Sequence, residues 1–366
     1  MRVSIPTVRV LTQQTPSRPP LSLEAAVERV RVFIAPGNTA VLTGAGVSTD
    51  SGIRAYRGLE GRYLNPNFKP IFYGDLVEDS PKGHAYRQRY WARSFLGWPR
   101  LIAARPNPTH AALASLMHTG HVPHLITQNV DGLHLDALRS PHLHSRVLEL
   151  HGSLHTVHCR RKHANPRDEF QRQLALSNPE WAELEESFRR GKEKPRTNPD
   201  GDVELEGTVS FENFVIPPCP QCQLEGVTET NVCQRSSPSI PHLNNPRETQ
   251  VKPEVVFFGE TVPSAVRDRS YQVIEETDRL LIVGTTLATY SAYRLVKHAL
   301  ELSRPILLLT LGPTRADVHE LIEKLEVPSG PVIHQAAREL IGSRLATDEA
   351  LSTVLESGVI TSVEEL

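Results

Sequence analysis

The chain has 366 residues, a formal net charge of −2 and four cysteines. That length holds one large domain or two with ample core. The near balance of charge offers no electrostatic footprint for nucleic acid, and no apolar run is long enough to cross a bilayer. Four cysteines are too few for a disulfide scaffold, and three fall within Cys219–Cys233, which suggests metal before disulfide.

From Met1 to Leu23 there is no acid, while Arg2, Arg9 and Arg18 alternate with Ser, Thr and Val. The pattern is that of a mitochondrial transit peptide or of a disordered basic tail, and Pro6, Pro16, Pro19 and Pro20 break up any amphipathic helix. Ser22 is placed to cap a helix through Ala35, with Ala25, Val27, Val30 and Ile34 on its apolar face. Thr39–Thr43 then reads as a buried strand running into Gly44-Ala45-Gly46-Val47-Ser48. Gly44 and Gly46 suit a tight turn that lets a backbone approach a pyrophosphate. Ser48, Thr49 and Asp50 are placed to cap a following helix whose first N–H groups would face the phosphates. The third glycine of G-x-G-x-x-G falls on Thr49, so the spacing alone fits a nucleotide site and an ordinary glycine turn equally.

Tyr56 to Tyr73 reads as a loop over that turn, and His84–Phe95 as helix, with Arg87, Arg89 and Arg93 either meeting anions or lying on solvated surface. Thr109–His118 is a helix. The strand His124–Thr127 leads into Gln128-Asn129-Val130-Asp131, and Val147–Leu150 leads into His151-Gly152. Three short strands thus end in polar residues, where open α/β sheets place their ligands. From Thr156 to about Lys252 apolar density falls, and helices are expected at Asp168–Leu176 and Pro179–Arg190 beside irregular stretches at 191–207 and 234–250. Order returns at Pro253–Glu260, followed by helix Ser264–Glu276, strand Arg279–Val283, a second glycine turn at Gly284-Thr285-Thr286-Leu287, helix Ser291–Leu302 and strand Pro305–Leu311. The expected fold is α/β: a doubly wound, Rossmann-like parallel sheet from 24–155 and 253–330. An inserted small zinc-ribbon or helical domain occupies 156–252, with tails at 1–23 and 331–366.

Taken together, Gly44–Ser48, Gln128–Asp131, His151-Gly152, Cys219-x-x-Cys222, Val255–Glu260 and Gly284–Leu287 resemble the sirtuins, the NAD-dependent protein deacylases, in order and spacing. Arg87–Arg93 with Gly97-Trp98-Pro99, Lys252–Gly259 and Gly312–Arg315 are most similar to the mitochondrial class II branch, the sirtuin 4 type. The resemblance implies removal of acyl groups from protein lysines in the mitochondrial matrix, or else in the nucleus or cytoplasm. Gly44, Ala45, Gly46 and Arg57 would hold the NAD phosphates and adjoining ribose. Gln128 and Asn129 would orient the nicotinamide ribose. Ile53, Asn129 and Asp131 would line the nicotinamide pocket, and Gly284, Thr285, Thr286 and Thr310 would meet the adenosine end. Val256, Phe257 and Phe258 would pair with an acyl-lysine peptide through a strand edge. Breaking the nicotinamide–ribose bond is chiefly a positioning task, and a later step needs a base near working pH, the role implied for His151. His155 does not make a zincin motif, since Gly152 stands where H-E-x-x-H needs glutamate.

Three departures from the family pattern stand out. Arg54 and Ala55 occupy the positions of its usual Pro-Asp, removing a carboxylate. Thr310 replaces an asparagine. The family's zinc takes two C-x-x-C pairs. Here Cys219 and Cys222 form one, Cys159 begins the other, and Lys162 stands at its partner position. Cys233 is the expected fourth ligand, with His163 the open alternative. The same NAD pocket also suits protein ADP-ribosylation, and Ala55 raises the reading of an NAD-responsive binding protein with little catalysis.

Overall fold

The computed structural model describes residues 21–56, 70–191, 196–197, 200, 203–204, 210–225 and 251–362. Arg57, Cys233 and the basic N-terminal segment to residue 20 lie outside them. In chain order the elements begin with α1 (Leu23–Ile34), β1 (Thr39–Thr43), α2 (Tyr73–Val77), α3 (Pro81–Ala103), α4 (Pro108–His118), β2 (His124–Thr127), α5 (Leu133–Ala137) and β3 (Val147–Glu149). Next come β4 (Gly152–Cys159), β5 (Ala164–Pro166), α6 (Arg167–Ser177), α7 (Pro179–Arg190), β6 (Arg196–Thr197), β7 (Val203–Glu204), α8 (Pro220–Leu224) and β8 (Val251–Val255). The chain closes with α9 (Ser264–Glu276), β9 (Arg279–Val283), α10 (Tyr290–Glu301), β10 (Ile306–Leu309), β11 (Glu323–Leu325), α11 (Ser329–Leu345) and α12 (Glu349–Leu355).

Two compact units result. The first takes the described residues up to 56, 103–151 and 261 onward. Its sheet has the order β11-β10-β9-β1-β2-β3, parallel throughout. β1 and β9 are buried at nearly every position because both faces are covered. Val41, Leu281 and Leu307 face one cluster with α1, α4 and α11, while α9 and α10 pack on the other side. Ser22 caps α1 through a bond from Ala25 N at 3.2 Å, as its position in sequence leads one to expect. The C-terminal helices α11 and α12 pack on α4, so residues after 330 belong to this core.

No helix begins at Ser48–Asp50. After Gly44 the chain makes a single 3₁₀ turn, Ala45–Ser48, and then bends. The Thr49 hydroxyl turns back to Gly46 O at 3.0 Å, and Ser48 is buried among side chains.

The second unit takes 70–102 as well as the described residues of 152–260. The sequence boundaries leave 70–102 with the first unit. They belong to the second because α3 carries its aromatic spine: Trp91 stacks edge-on with Phe170 at 4.8 Å and donates Nε1 to Val251 O at 3.1 Å. The Arg167 guanidinium covers Trp91 and Trp98 at 5.4 and 4.8 Å. Arg93, 9% exposed, donates Nε to Val203 O at 2.7 Å instead of facing solvent. β4 pairs antiparallel with β5 and β8, with an irregularity between Ser153 and Val157. Gly152 opposes Val255 at φ +77°, and a Cβ there would lie 1.8 Å from Glu254 O. Gly152→Ala is therefore expected to cost about 2–4 kcal/mol, from left-handed strain plus overpacking. A thermal melt beside Ser153→Ala checks this, and equal midpoints would refute it.

Candidate active site

The first unit's site is built where two parallel strands end side by side. At the carboxyl end of β1, Gly44 N donates to Val283 O at 3.2 Å, and Gly46 N donates to Gly284 O at 2.9 Å. A Cβ at Gly44 would sit 2.6 Å from Thr285 Cβ, and one at Gly46 2.7 Å from Gly284 O. The glycines thus let the two turns interlock. Between them and β2 opens a cavity of about 370 Å³, within the range of small-molecule sites.

Of the expected NAD-contacting residues, Gly44, Ala45, Gly46, Gln128, Asn129, Gly284, Thr285, Thr286 and Thr310 line this cavity, and so does His151. Ile53 and Asp131 are buried and do not line it. The cavity also takes in Asp50, Ala55 and Tyr56, and with them Thr289 and Val327–Gly330, which nothing in the sequence marks. The last of these come from the loop before α11, far along the chain, where nothing local marks them as ligand-facing. Ala55 puts a methyl on the wall where the family pattern has a carboxylate.

Gln128 is locked by three bonds. Nε2 donates to Thr43 O (3.1 Å) and Thr285 Oγ1 (2.9 Å), and Oε1 accepts from Thr289 Oγ1 (3.0 Å). This network fixes which end of the amide is nitrogen. Asn129 Nδ2 donates to Gly44 O at 3.2 Å and Ser48 Oγ at 3.0 Å, and Ser48 in turn donates to Asp131 Oδ2 at 2.8 Å. Asp131 Oδ1 accepts from Leu133 N at 3.0 Å. Asp131 is therefore a buried brace for Ser48, and through it for Asn129.

His151 follows β3. Its Nδ1 lies 3.1 Å from Gln128 O and its Nε2 lies 2.7 Å from Ser291 Oγ. A carbonyl only accepts, so Nδ1 carries the proton and Nε2 offers the lone pair. Burial pushes this imidazole down to about 4, the bond to Gln128 works against that, and Arg294 adds to the depression. The ring is a neutral base at physiological pH. Buried next to β1 lie two more histidines: His134 Nε2 meets Thr43 Oγ1 at 2.9 Å, and the His110 ring packs tilted against His134 at 4.7 Å between centroids.

In the second unit, Cys159, His163, Cys219 and Cys222 gather their ligand atoms within 4.8 Å of one another. His163 Nδ1 is 3.4 Å from Cys222 Sγ and 3.8 Å from Cys219 Sγ. Lys162 explains the substitution. It sits at φ +67° in a tight turn, with Lys162 N bonded to Cys159 O, so its own side chain points out and the next residue turns in. Glu225 lies 3.4 Å from His163 Nε2, the carboxylate–histidine arrangement that orients metal ligands. Burial and the neighbouring sulfur of Cys159 push the Cys222 thiol up to about 12, whereas, against burial, hydrogen bonds from the backbone at Cys222 and from His163 draw Cys219 down to about 7, so ionising all the sulfurs together calls for a cation. Three soft thiolates and one imidazole fit tetrahedral zinc.

A model of the Sir2 family matches residues 44–291. The chain belongs to the Sir2 family. Among its relatives, "NAD-dependent protein deacylase SIR4" of Batrachochytrium dendrobatidis is 42% identical over 82% of this chain and 89% of its own. "NAD-dependent protein deacylase SRT2" of Arabidopsis thaliana is 37% identical over 87% and 78%. "NAD-dependent protein lipoamidase sirtuin-4, mitochondrial" of Bos taurus is 36% identical over 82% of each. A Sir2 homologue solved with NAD shares the fold at TM-score 0.55 and 22% identity, covering 86% of this chain and 94% of that one. The Sir2 fold, the NAD requirement of the family and a donor set fitted to structural zinc thus agree.

Burial holds His134 at about 3 and keeps His110 well below its ordinary value. Once unfolded, each titrates near 6.5, so below that pH the unfolded chain binds more protons and stability falls. The decline approaches about 1.4 kcal/mol per pH unit for each histidine and continues down toward the folded values. Urea midpoints from pH 7.5 to 5 should drop accordingly, and less steeply in His134→Gln. A parallel drop in that variant would refute the assignment.

Proposed function

We propose that this Sir2 protein removes acyl groups from protein lysines with NAD, yielding nicotinamide, deacylated protein and O-acyl-ADP-ribose. The observation that supports it most is His151, held as the Nδ1–H tautomer on the wall of a cavity framed by two glycine turns. NAD supplies the electrophilic ribose carbon when bound. The chain's part is to hold the phosphates against Gly44–Gly46 and Thr285, to set the ribose with Gln128 and Asn129, and to accept a ribose-hydroxyl proton at His151 Nε2.

Val256–Phe258 is proposed as the peptide-binding segment. Phe257 N already donates to Glu260 Oε2 at 3.0 Å, and Phe258 O accepts from Tyr73 N at 2.9 Å. The strand itself ends at Val255. Main-chain pairing therefore rests on Val256, and Phe257 and Phe258 contribute apolar surface. For the metal we propose Cys159, Cys219, Cys222 and His163. Glu225 behind His163 favours it over Cys233, which lies outside the described residues. Arg57, also outside them, keeps its proposed phosphate role. The acid-free 1–23 segment, alongside a relative named as mitochondrial, supports a mitochondrial address for this chain, with the matrix as the finer reading.

Ala55 on the cavity wall favours a second reading, weak turnover in an NAD-responsive protein. Incubating the protein with NAD and a panel of acyl-lysine peptides separates the two. Nicotinamide release with peptide mass loss, falling about 10²–10⁴-fold in His151→Ala, supports deacylation. Mass gain on protein would indicate ADP-ribosylation, and NAD binding without nicotinamide release would leave only the binding role. Metal analysis should return one zinc per chain, lost in His163→Ala together with thermal stability. Retention of zinc in that variant would eliminate His163 as a ligand.

A further inference from the structure

The second unit holds another cavity, of about 390 Å³, to which the proposed function assigns nothing. Arg87, Arg160, Lys162 and Lys252 line it against a single carboxylate, Glu260. Two of these cations are already neutralised. Lys252 Nζ meets both oxygens of Glu260 at 2.9 and 3.0 Å, and Arg160 is bidentate to Asp79 at 2.7 and 2.9 Å.

The other two have no direct ion-pair partner among the described residues, although the carboxylates of Asp79 and Glu78 act on Arg87 through space. Arg87 is 3% exposed; its Nη1 donates to Leu76 O and Glu78 O, and its Nη2 is buried with no hydrogen-bond partner among the described residues. Lys162 makes no ion pair among them, and its left-handed backbone turns its side chain away from the cysteine cluster. Leaving a buried guanidinium N–H unbonded is unfavourable, more so than for a neutral donor. A buried guanidinium with one unbonded nitrogen and an exposed ammonium, neither in an ion pair among the described residues, border one cavity and favour an anionic occupant. Tyr73, Leu76 and Val251 add an apolar wall. The space is several times that of an inorganic ion and comparable to small-molecule sites.

We propose that this cavity is a second ligand site, taking a small organic anion: a phosphate or carboxylate head on a short apolar body. The head is bonded by Arg87 Nη2 and attracted by Lys162, while the body lies on Tyr73, Leu76 and Val251. Nothing in this depends on deacylation.

The test is calorimetric titration of the zinc-loaded full chain with phenyl phosphate, benzoate, inorganic phosphate and phenol. ADP-ribose is kept saturating so that the NAD site cannot answer. One site for phenyl phosphate or benzoate is expected, with inorganic phosphate weaker and phenol silent; the tighter aryl acid identifies the head group. Lys162→Gly removes a charge at a residue whose φ suits glycine, so it keeps the fold, and it should weaken binding about tenfold. Amide shifts of Arg87 and Lys162 should move on titration of the parent chain. Binding that vanishes under ADP-ribose, equals that of phenol, persists unchanged in Lys162→Gly, or leaves those amides still would overturn the proposal.

Discussion

The bond from Gly46 N to Gly284 O is the constraint on which the first unit's site depends. It ties the turn after β1 to the turn after β9, and it can form only because neither turn carries a Cβ at the crossing. Once the two strand ends are locked at that distance, Thr285 falls within reach of Gln128. Gln128 then presents its own carbonyl to His151. The base is thus oriented through a chain of bonds that begins with missing side chains. Substitutions at Gly46 or Gly284 therefore bear on the cavity they line and, through this chain, on His151.

This changes what the glycine motif means. Read as sequence, Gly44 and Gly46 suggest close approach of backbone to phosphate, followed by a helix whose amides face it. The structure has no such helix; its N–H groups in this stretch are used in a 3₁₀ turn and in the cross-turn bonds. The smallness of Gly44 and Gly46 is required by packing even before a ligand arrives. Ser48 and Asp131 also change meaning, from polar residues at a strand end to a buried brace behind Asn129.

What could be read in advance follows from range. Strands β1 and β9 and helices α7 and α9 have the bounds their sequence suggests, because apolar runs, caps and prolines act within a few residues. The polar strand ends around Gln128 and His151 were visible for the same reason. Ser291, Thr289 and the Val327–Gly330 loop were not, since they become site residues only when the sheet order brings β9 beside β1 and β10 beside β9. The aromatic spine of α3 was legible as helix but not as core. Arg87 and Arg93 look like surface in one dimension, and only the carbonyls of Leu76, Glu78 and Val203 show that they make buried bonds, while Arg89 is exposed.

The metal centre shows the same logic at its smallest scale. A spacing rule compares positions 159 and 162 and finds lysine where a ligand belongs. Backbone conformation decides otherwise. With Lys162 left-handed, the turn advances by one residue, His163 faces the sulfurs and Glu225 stands behind its far nitrogen. Three thiolates and an imidazole carry one unit less negative charge around zinc than four thiolates, and an imidazole braced by a carboxylate recovers part of the lost donor strength. The displaced lysine is left with its charge outside the cluster, on the wall of a cavity that Arg87 also lines. One backbone torsion therefore exchanges a metal ligand for a cation, and the cavity that borders both Cys159 and Lys162 is where that cation is spent.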